Sequence, residues 1–179
     1  MKTRNLAFIF ALCFAFVSCN ENKKSDTPEV VTVTPKTEVY TSAKTDAAFK
    51  EATTAGVFDA YIKLKTALVN TNSTIASAAG MVLLQKLKEA QADQTTLDSV
   101  EALVVSSDVE AQRKEFVTIT ASVEKMLEGA LTSGTVYKQY CPMAFGNTGA
   151  YWLSTSKDIQ NPYFGDKMLK CGRVADEIK

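Results

Sequence analysis

Apolar residues return every three or four positions from Phe49 to Leu127, and no other feature limits the folding of the chain as tightly. Side chains three or four residues apart share one face of an α-helix, so each such run predicts a helix with a buried stripe. Phe49, Thr53, Val57, Ala60, Tyr61, Leu64, Ala67 and Leu68 form the first stripe. Asn70-Thr-Asn72-Ser73 breaks it and offers caps for the next helix, whose stripe is Ile75, Ala79, Val82, Leu83, Leu87 and Ala90. Leu97, Val100, Leu103 and Val104 predict a shorter third helix. Ser107-Asp-Val-Glu110 has the spacing of a capping box, in which the Ser and Glu side chains each satisfy a free backbone N–H. It opens a fourth helix with Val109, Phe116, Ile119, Val123, Met126 and Leu127 inward, and Met81 and Met126 read as core. The expected fold is all-α, a small antiparallel bundle of about four helices around one core.

The texture changes at Gly134. Five of the eight glycines fall between Gly134 and Gly172, together with Trp152, which marks a turn-rich segment. Residues 135–140 are extended in character but alternate poorly. Gly146-Asn147-Thr148-Gly149, Asn161-Pro162 and Gly165 are turn signals. Residues 134–173 are therefore expected to form an irregular cap, packed on the bundle by Tyr151, Trp152, Tyr163 and Phe164.

The N-terminus reads as an export signal. Lys2 and Arg4 precede an apolar run from Leu6 to Val17, too short for a permanent span of about 20 residues but suited to a cleaved signal peptide, residues 1–18. Cys19, after Ser18 and before Asn20-Glu21-Asn22, fits a bacterial lipobox apart from Phe16, where leucine is usual. Cys19 is then the lipidated first residue of the mature chain. The alternative is an ordinary secretory signal with no lipid on Cys19. Residues 19–45, rich in Lys, Thr, Ser, Glu and Pro, read as a flexible tether, and residues 46–179 as one domain. The expected location is the bacterial cell envelope, as a periplasmic or outer-membrane lipoprotein held to the membrane by its N-terminal lipid. Removing Lys2 and Arg4 leaves 18 basic residues against 20 acidic ones, a net charge of −2. With no basic patch, nucleic acid is not an expected partner.

Chemistry is concentrated in sulfur. After the signal and the lipid, only Cys141 and Cys171 remain as thiols, and each has a methionine nearby in Cys141-Pro142-Met143 and Met168-Leu-Lys-Cys171. Pro142 favours extension at Cys141, which puts Cys141 and Met143 on one side. Met168 and Cys171, three apart, share a face of a helical turn. Thiolate plus thioether is a soft donor set that suits Cu(I), or Ag(I) by the same logic, and suits Mg, Ca or Mn poorly. The expected metal ligands are Cys141, Met143, Met168 and Cys171, supported by Pro142, Tyr151, Trp152, Asn161 and Gly172. The rival is a Cys141–Cys171 disulfide with both methionines as filler, in a non-metal interaction module of an envelope assembly. With no histidine in the chain, no His-activated nucleophile can be built, and no phosphate loop is present; the chain is not expected to be an enzyme. Asp158 with Asp166 could in principle act as a carboxylate pair, but lies beside Lys157 and Lys167 and reads better as solvated surface.

The stretch YCPMAFGNTGAYWLSTSKDIQNPYFGDKMLKCG (Tyr140 to Gly172), with DVEAQRKEFVTITASVEKML (Asp108 to Leu127), resembles a bacterial domain-of-unknown-function family. That family occurs as periplasmic lipoproteins in Bacteroidetes-type bacteria and is also fused to heavy-metal RND efflux adaptors of the copper/silver type. The resemblance covers about Ala48 to Val174. It implies a small helical bundle with an irregular C-terminal cap and a link to metal stress, with efflux components as partners. The family's Cys-Pro-Met falls on Cys141, Pro142 and Met143, its Trp-Leu-Ser on Trp152, Leu153 and Ser154, and its Asn-Pro-Tyr on Asn161, Pro162 and Tyr163. Its Met and Cys-Gly fall on Met168, Cys171 and Gly172. Many relatives carry histidines in the tether or beside the first cysteine. This chain has none, which places any metal capture on sulfur.

Overall fold

The computed structural model describes residues 39–179. The signal peptide, Cys19 and the tether up to residue 38 lie outside the described residues. Four helices follow in order: α1 (Ala52–Val69), α2 (Ser73–Glu89), α3 (Gln94–Val105) and α4 (Val109–Leu127). Short polar connections join them, and each supplies the next helix with a cap for its free N–H groups. Asn72 accepts from the Ile75 N–H at 2.9 Å, Asp93 from that of Thr96 at 3.0 Å, and Asp108 from that of Glu110 at 3.0 Å. The fourth cap is thus Asp108, one residue later than the expected capping box on Ser107.

The core runs through an aromatic ladder. Phe58, Tyr61, Phe116 and Tyr163 follow one another at centroid spacings of 6.5, 5.0 and 6.0 Å, and Tyr61 and Phe116 are fully buried. Each large side chain taken from water stabilises the fold by about 2 kcal/mol. Leu64, Leu68, Leu83, Leu87, Leu103, Ile119 and Val123 complete it at zero exposure. The second stripe departs from expectation. Ile75, Met81 and Val82 are 56%, 56% and 49% exposed, because α2 turns Ala76, Gly80, Leu83 and Leu87 inward instead. The physical reason is the absence of charge from Ser73 to Gln85, which leaves apolar side chains on both faces and no polar stripe to mark the outer one.

The all-α expectation is corrected by the C-terminal third. The protein is mixed α/β, with two antiparallel sheets beside the helices. Strand β1 (Ala48–Phe49) pairs with β2 (Leu131–Ser133) and closes the two ends of the four-helix unit on each other. Strands β3 (Val136–Cys141), β4 (Ala150–Ser154) and β5 (Arg173–Ile178) form a second sheet in the order β4-β3-β5. A tight turn (Ala144–Asn147), with Phe145 and Gly146 left-handed at φ +52° and +66°, lies in the β3–β4 connection, and a 3₁₀ turn (Gly165–Met168) precedes β5. Regular sheet replaces the expected irregular cap for two physical reasons. The β3–β5 register shifts between Lys138 and Gln139, and such a bulge breaks the simple alternation that announces a strand. Arg173-Val-Ala-Asp-Glu-Ile178 is an edge strand, and its charges suit an exposed edge while hiding its strand character.

Tyr61 fastens sheet to helices. Its hydroxyl meets Thr120 Oγ1 at 2.9 Å and accepts the Leu153 N–H of β4 at 3.0 Å. Burial removes water from the phenol and holds its pKa far above the ordinary value. On the other flank, residues 40–45 lie along α1. Asn70 exchanges two hydrogen bonds with the Tyr40 backbone, each 2.9 Å, Ser42 Oγ meets Thr66 Oγ1 at 2.6 Å, and Thr155 Oγ1 donates to Ala43 O at 2.7 Å.

Candidate functional site

Strand register brings the two cysteines together. Cys141 ends β3 opposite Ala150 of β4, and β5 returns beside β3 with Arg173 opposite Tyr140. Cys171, two residues before Arg173, therefore arrives at the Cys141 end of the strand. The two Sγ atoms are 2.7 Å apart, and both residues are free thiols. Cys141 is fully buried and Cys171 half-buried. Partial burial, and next the Cys141 sulfur facing it, push the Cys171 thiol up to about 11, while a hydrogen bond from the Met143 backbone pulls the other way. At neutral pH Cys171 is held as the thiol, a slow nucleophile and a poor ligand until it loses its proton.

Asn161 and Gly172 hold the Cys171 segment. Asn161 is fully buried; its Nδ2 donates to Cys171 O at 2.8 Å and its Oδ1 accepts the Tyr163 N–H at 2.8 Å. Its own backbone N–H and C=O bond Leu169 O at 2.9 Å and the Gly165 N–H at 3.0 Å. Gly172 adopts φ +148°, and a Cβ there would lie 2.7 Å from the Trp152 ring. A side chain would therefore lift Cys171 away from the sheet or displace the tryptophan.

The remaining residues of the predicted site are spread around this pair. Met143 is 46% exposed, Pro142 is exposed, and Met168 is half-buried at the end of the 3₁₀ turn, where its carbonyl accepts the Cys171 N–H at 3.0 Å. Trp152 is fully buried, whereas Tyr151, its neighbour on β4, is 42% exposed and packs at a tilt against the Tyr140 ring, centroids 4.6 Å apart. Successive strand residues face opposite ways, so Trp152 and Tyr151 do not cover the sulfurs together. Among the described residues, no group of three or more Cys, Asp or Glu side chains gathers in metal-holding geometry. Asp158 and Asp166 are both exposed.

Several buried polar residues lie outside the set that the sequence singles out, Gln112, Arg113 and Lys65 among them. Gln112 Nε2 lies within hydrogen-bonding range of Ser73 O, Ser77 Oγ, Leu103 O and Ser106 O, joining the start of α2 to the end of α3. Arg113, 1% exposed, donates to Pro162 O at 2.7 Å, Leu68 O at 3.1 Å and Thr71 Oγ1 at 3.1 Å, and pairs with Glu110 at 2.7 Å. Lys65, also 1% exposed, has no hydrogen bond or ion pair among the described residues. A signal exists for each, since a polar residue on an apolar stripe needs a partner or a purpose. Lys65 falls four residues after Tyr61 on such a stripe.

A groove of ≈ 1080 Å³ opens between residues 39–45 and the α1–α2 pair, with Ile62, Ile75, Ala79 and Val82 among its walls. It shares no residue with the sulfur pair. Residues 57–134 match the family described as protein of unknown function (DUF3347). The match spans the four helices from the second turn of α1 through β2 and ends before the sheet that carries the cysteines. No curated protein and no solved structure matches the chain.

Proposed function

We propose that this chain is an extracytoplasmic, lipid-anchored interaction module whose C-terminal sheet is stapled by a Cys141–Cys171 disulfide. The carrying observation is the 2.7 Å separation of the two sulfurs, well inside the contact distance of unbonded sulfur atoms. Loss of one proton and one electron from each thiol to an envelope oxidant would close the bond with little movement of the strands. The sequence supports the compartment through the apolar segment and Cys19. Exposed Ile75, Met81 and Val82 on α2 support the interaction role, because they offer apolar surface uncovered among the described residues.

A soft-ion site for Cu(I) or Ag(I) is the second reading. It is favoured by the Met143 backbone reaching the Cys171 sulfur, which sets the Cys-Pro-Met turn beside both thiols. In that reading Cys141 and Cys171 supply thiolates, Met143 and Met168 supply thioethers, and the ion is buffered or handed to efflux components. One experiment separates the readings. Intact mass of protein recovered from the envelope without reductant should be two hydrogens below the dithiol mass. Full-mass protein whose Cu(I) affinity drops when Met143 and Met168 are both replaced by leucine would favour the metal reading instead.

A further inference from the structure

The strongest unassigned feature is the buried lysine of α1. Lys65 lines a cavity of ≈ 190 Å³ at the far end of β4 from the cysteines. Thr41, Ser42, Ser154, Thr155 and Ser156 supply hydroxyl groups to the same walls. A lysine so placed ordinarily snorkels to solvent or takes a carboxylate partner, since an isolated ammonium in protein is costly. Lys65 has no carboxylate partner among the described residues, its Nζ keeps only slight solvent contact, and desolvation alone governs its acidity.

Several hydroxyl hydrogens of the lining residues are uncommitted. Ser154 Oγ already accepts the Ser156 N–H at 3.3 Å, which leaves its own hydrogen free. Thr41 and Ser156 hydroxyls have no other partner among the described residues. Gln160 spends one amide hydrogen on Thr41 O at 3.4 Å and keeps the other. Thr155 Oγ1 donates to Ala43 O at 2.7 Å, and Ser42 Oγ meets Thr66; these bonds tie residues 42–43 to α1 and to the end of β4. Asp158 is the other titratable residue of the lining, is exposed, and forms no ion pair with Lys65.

We propose that this cavity is a binding site for a compact oxyanion, a phosphate or carboxylate group, held by Lys65 Nζ and the Thr41, Ser154 and Ser156 hydroxyls. The volume corresponds to about six waters at ~30 Å³ each, room for one such group and too little for a nucleotide. An anion converts the buried ammonium from an uncompensated charge into one half of a hydrogen-bonded pair, which is where charge-assisted bonds are strongest. Asp158 at the rim opposes entry of negative charge and so weakens the site without closing it. The site goes beyond the stapled-module reading and does not depend on it.

Titration of the full-length mature protein with inorganic phosphate, acetate and phenyl phosphate in chloride buffer tests the site by calorimetry and by amide shifts. Saturable binding is expected, with the largest shifts at Ser154, Thr155 and Ser156. Lys65→Met should weaken it by about tenfold or more, the loss of one charge-assisted bond, and Asp158→Asn should strengthen it about twofold. Phosphate bound without phenyl phosphate assigns a free ion; both bound assigns a group presented by a larger molecule. Binding unchanged in Lys65→Met, equal competition by chloride, or shifts confined to surface lysines would overturn the proposal. Because Lys65→Met removes a charge and not a contact, it should fold; if it does not, the wild-type shift map alone decides.

Discussion

Replacing Lys65 by methionine should stabilise the protein, and the gain should vanish as pH rises. Burial pushes the Lys65 ammonium from its usual 10.5 down to about 8. At about 1.36 kcal/mol for each pH unit of that drop, the fold carries a penalty of roughly 3 kcal/mol when Lys65 is charged. The sign follows from proton counting. Between pH 8 and 10.5 the unfolded chain holds a proton on Lys65 that the folded chain has released, so stability rises with pH across this window. Below pH 8 both states are protonated and the penalty is present in full. Urea denaturation of wild type and Lys65→Met from about pH 7 to 10.5, without phosphate or carboxylate in the buffer, measures the effect. The variant should be more stable by roughly 3 kcal/mol near pH 7, shrinking towards zero near pH 10.5. Methionine keeps most of the stem volume, so cavity costs stay small. Cys171 and Tyr61, both raised by burial, oppose the wild-type slope at higher pH, but they are common to both proteins and cancel in the difference. A difference that stays flat with pH would refute the reasoning, since it would show that Lys65 finds a compensating partner or water.

Three further outcomes are expected. Reducing the proposed Cys141–Cys171 disulfide, which would close a loop of thirty residues, should lower stability by about 3–4 kcal/mol, read as a fall in urea midpoint with dithiothreitol; no fall would remove the staple. Iodoacetamide should modify Cys171 in the reduced native protein slowly near pH 8 and progressively faster towards pH 11, because the thiol is pushed up to about 11; labelling as fast as a free thiol would contradict the assigned environment. Gly172→Ala should cost about 2–3 kcal/mol by thermal melting, since φ +148° and the Trp152 ring both exclude a Cβ.

The helices were legible because apolar residues return at one period and the caps are short polar residues, as at Asn72 and Asp93, but the inward face of α2 was not, since no charge from Ser73 to Gln85 marks its outer side. The sheet was not. Its central strand carries a bulge at Lys138 and Gln139, its edge strand is charged, and β5 pairs with β3 from more than thirty residues away, where local pattern carries no information. The cysteines were legible as a pair but not as neighbours, because their contact is made by the β3–β5 register. Lys65 was legible only as an exception. A lysine on the stripe of Tyr61 and Leu68 reads as a solvated edge until the fold shows both flanks occupied.

The sheet also decides whether the two sites act together. Cys141 stands opposite Ala150 and Ser154 stands opposite Tyr137, so the sulfur pair and the lysine cavity occupy opposite ends of β4. Four residues of strand at about 3.4 Å each separate them by roughly 14 Å, and they share no lining residue. Changes at sites so separated add, to within about 0.5 kcal/mol. Cys171→Ala should therefore leave phosphate affinity within about twofold of wild type, and Lys65→Met should leave the stability gained from the proposed disulfide unchanged to the same margin. A double-mutant cycle with phosphate affinity as its readout settles the matter. Coupling well above about 0.5 kcal/mol would mean that β4 shifts as a rigid unit, joining the redox state of the cysteines to occupancy of the cavity.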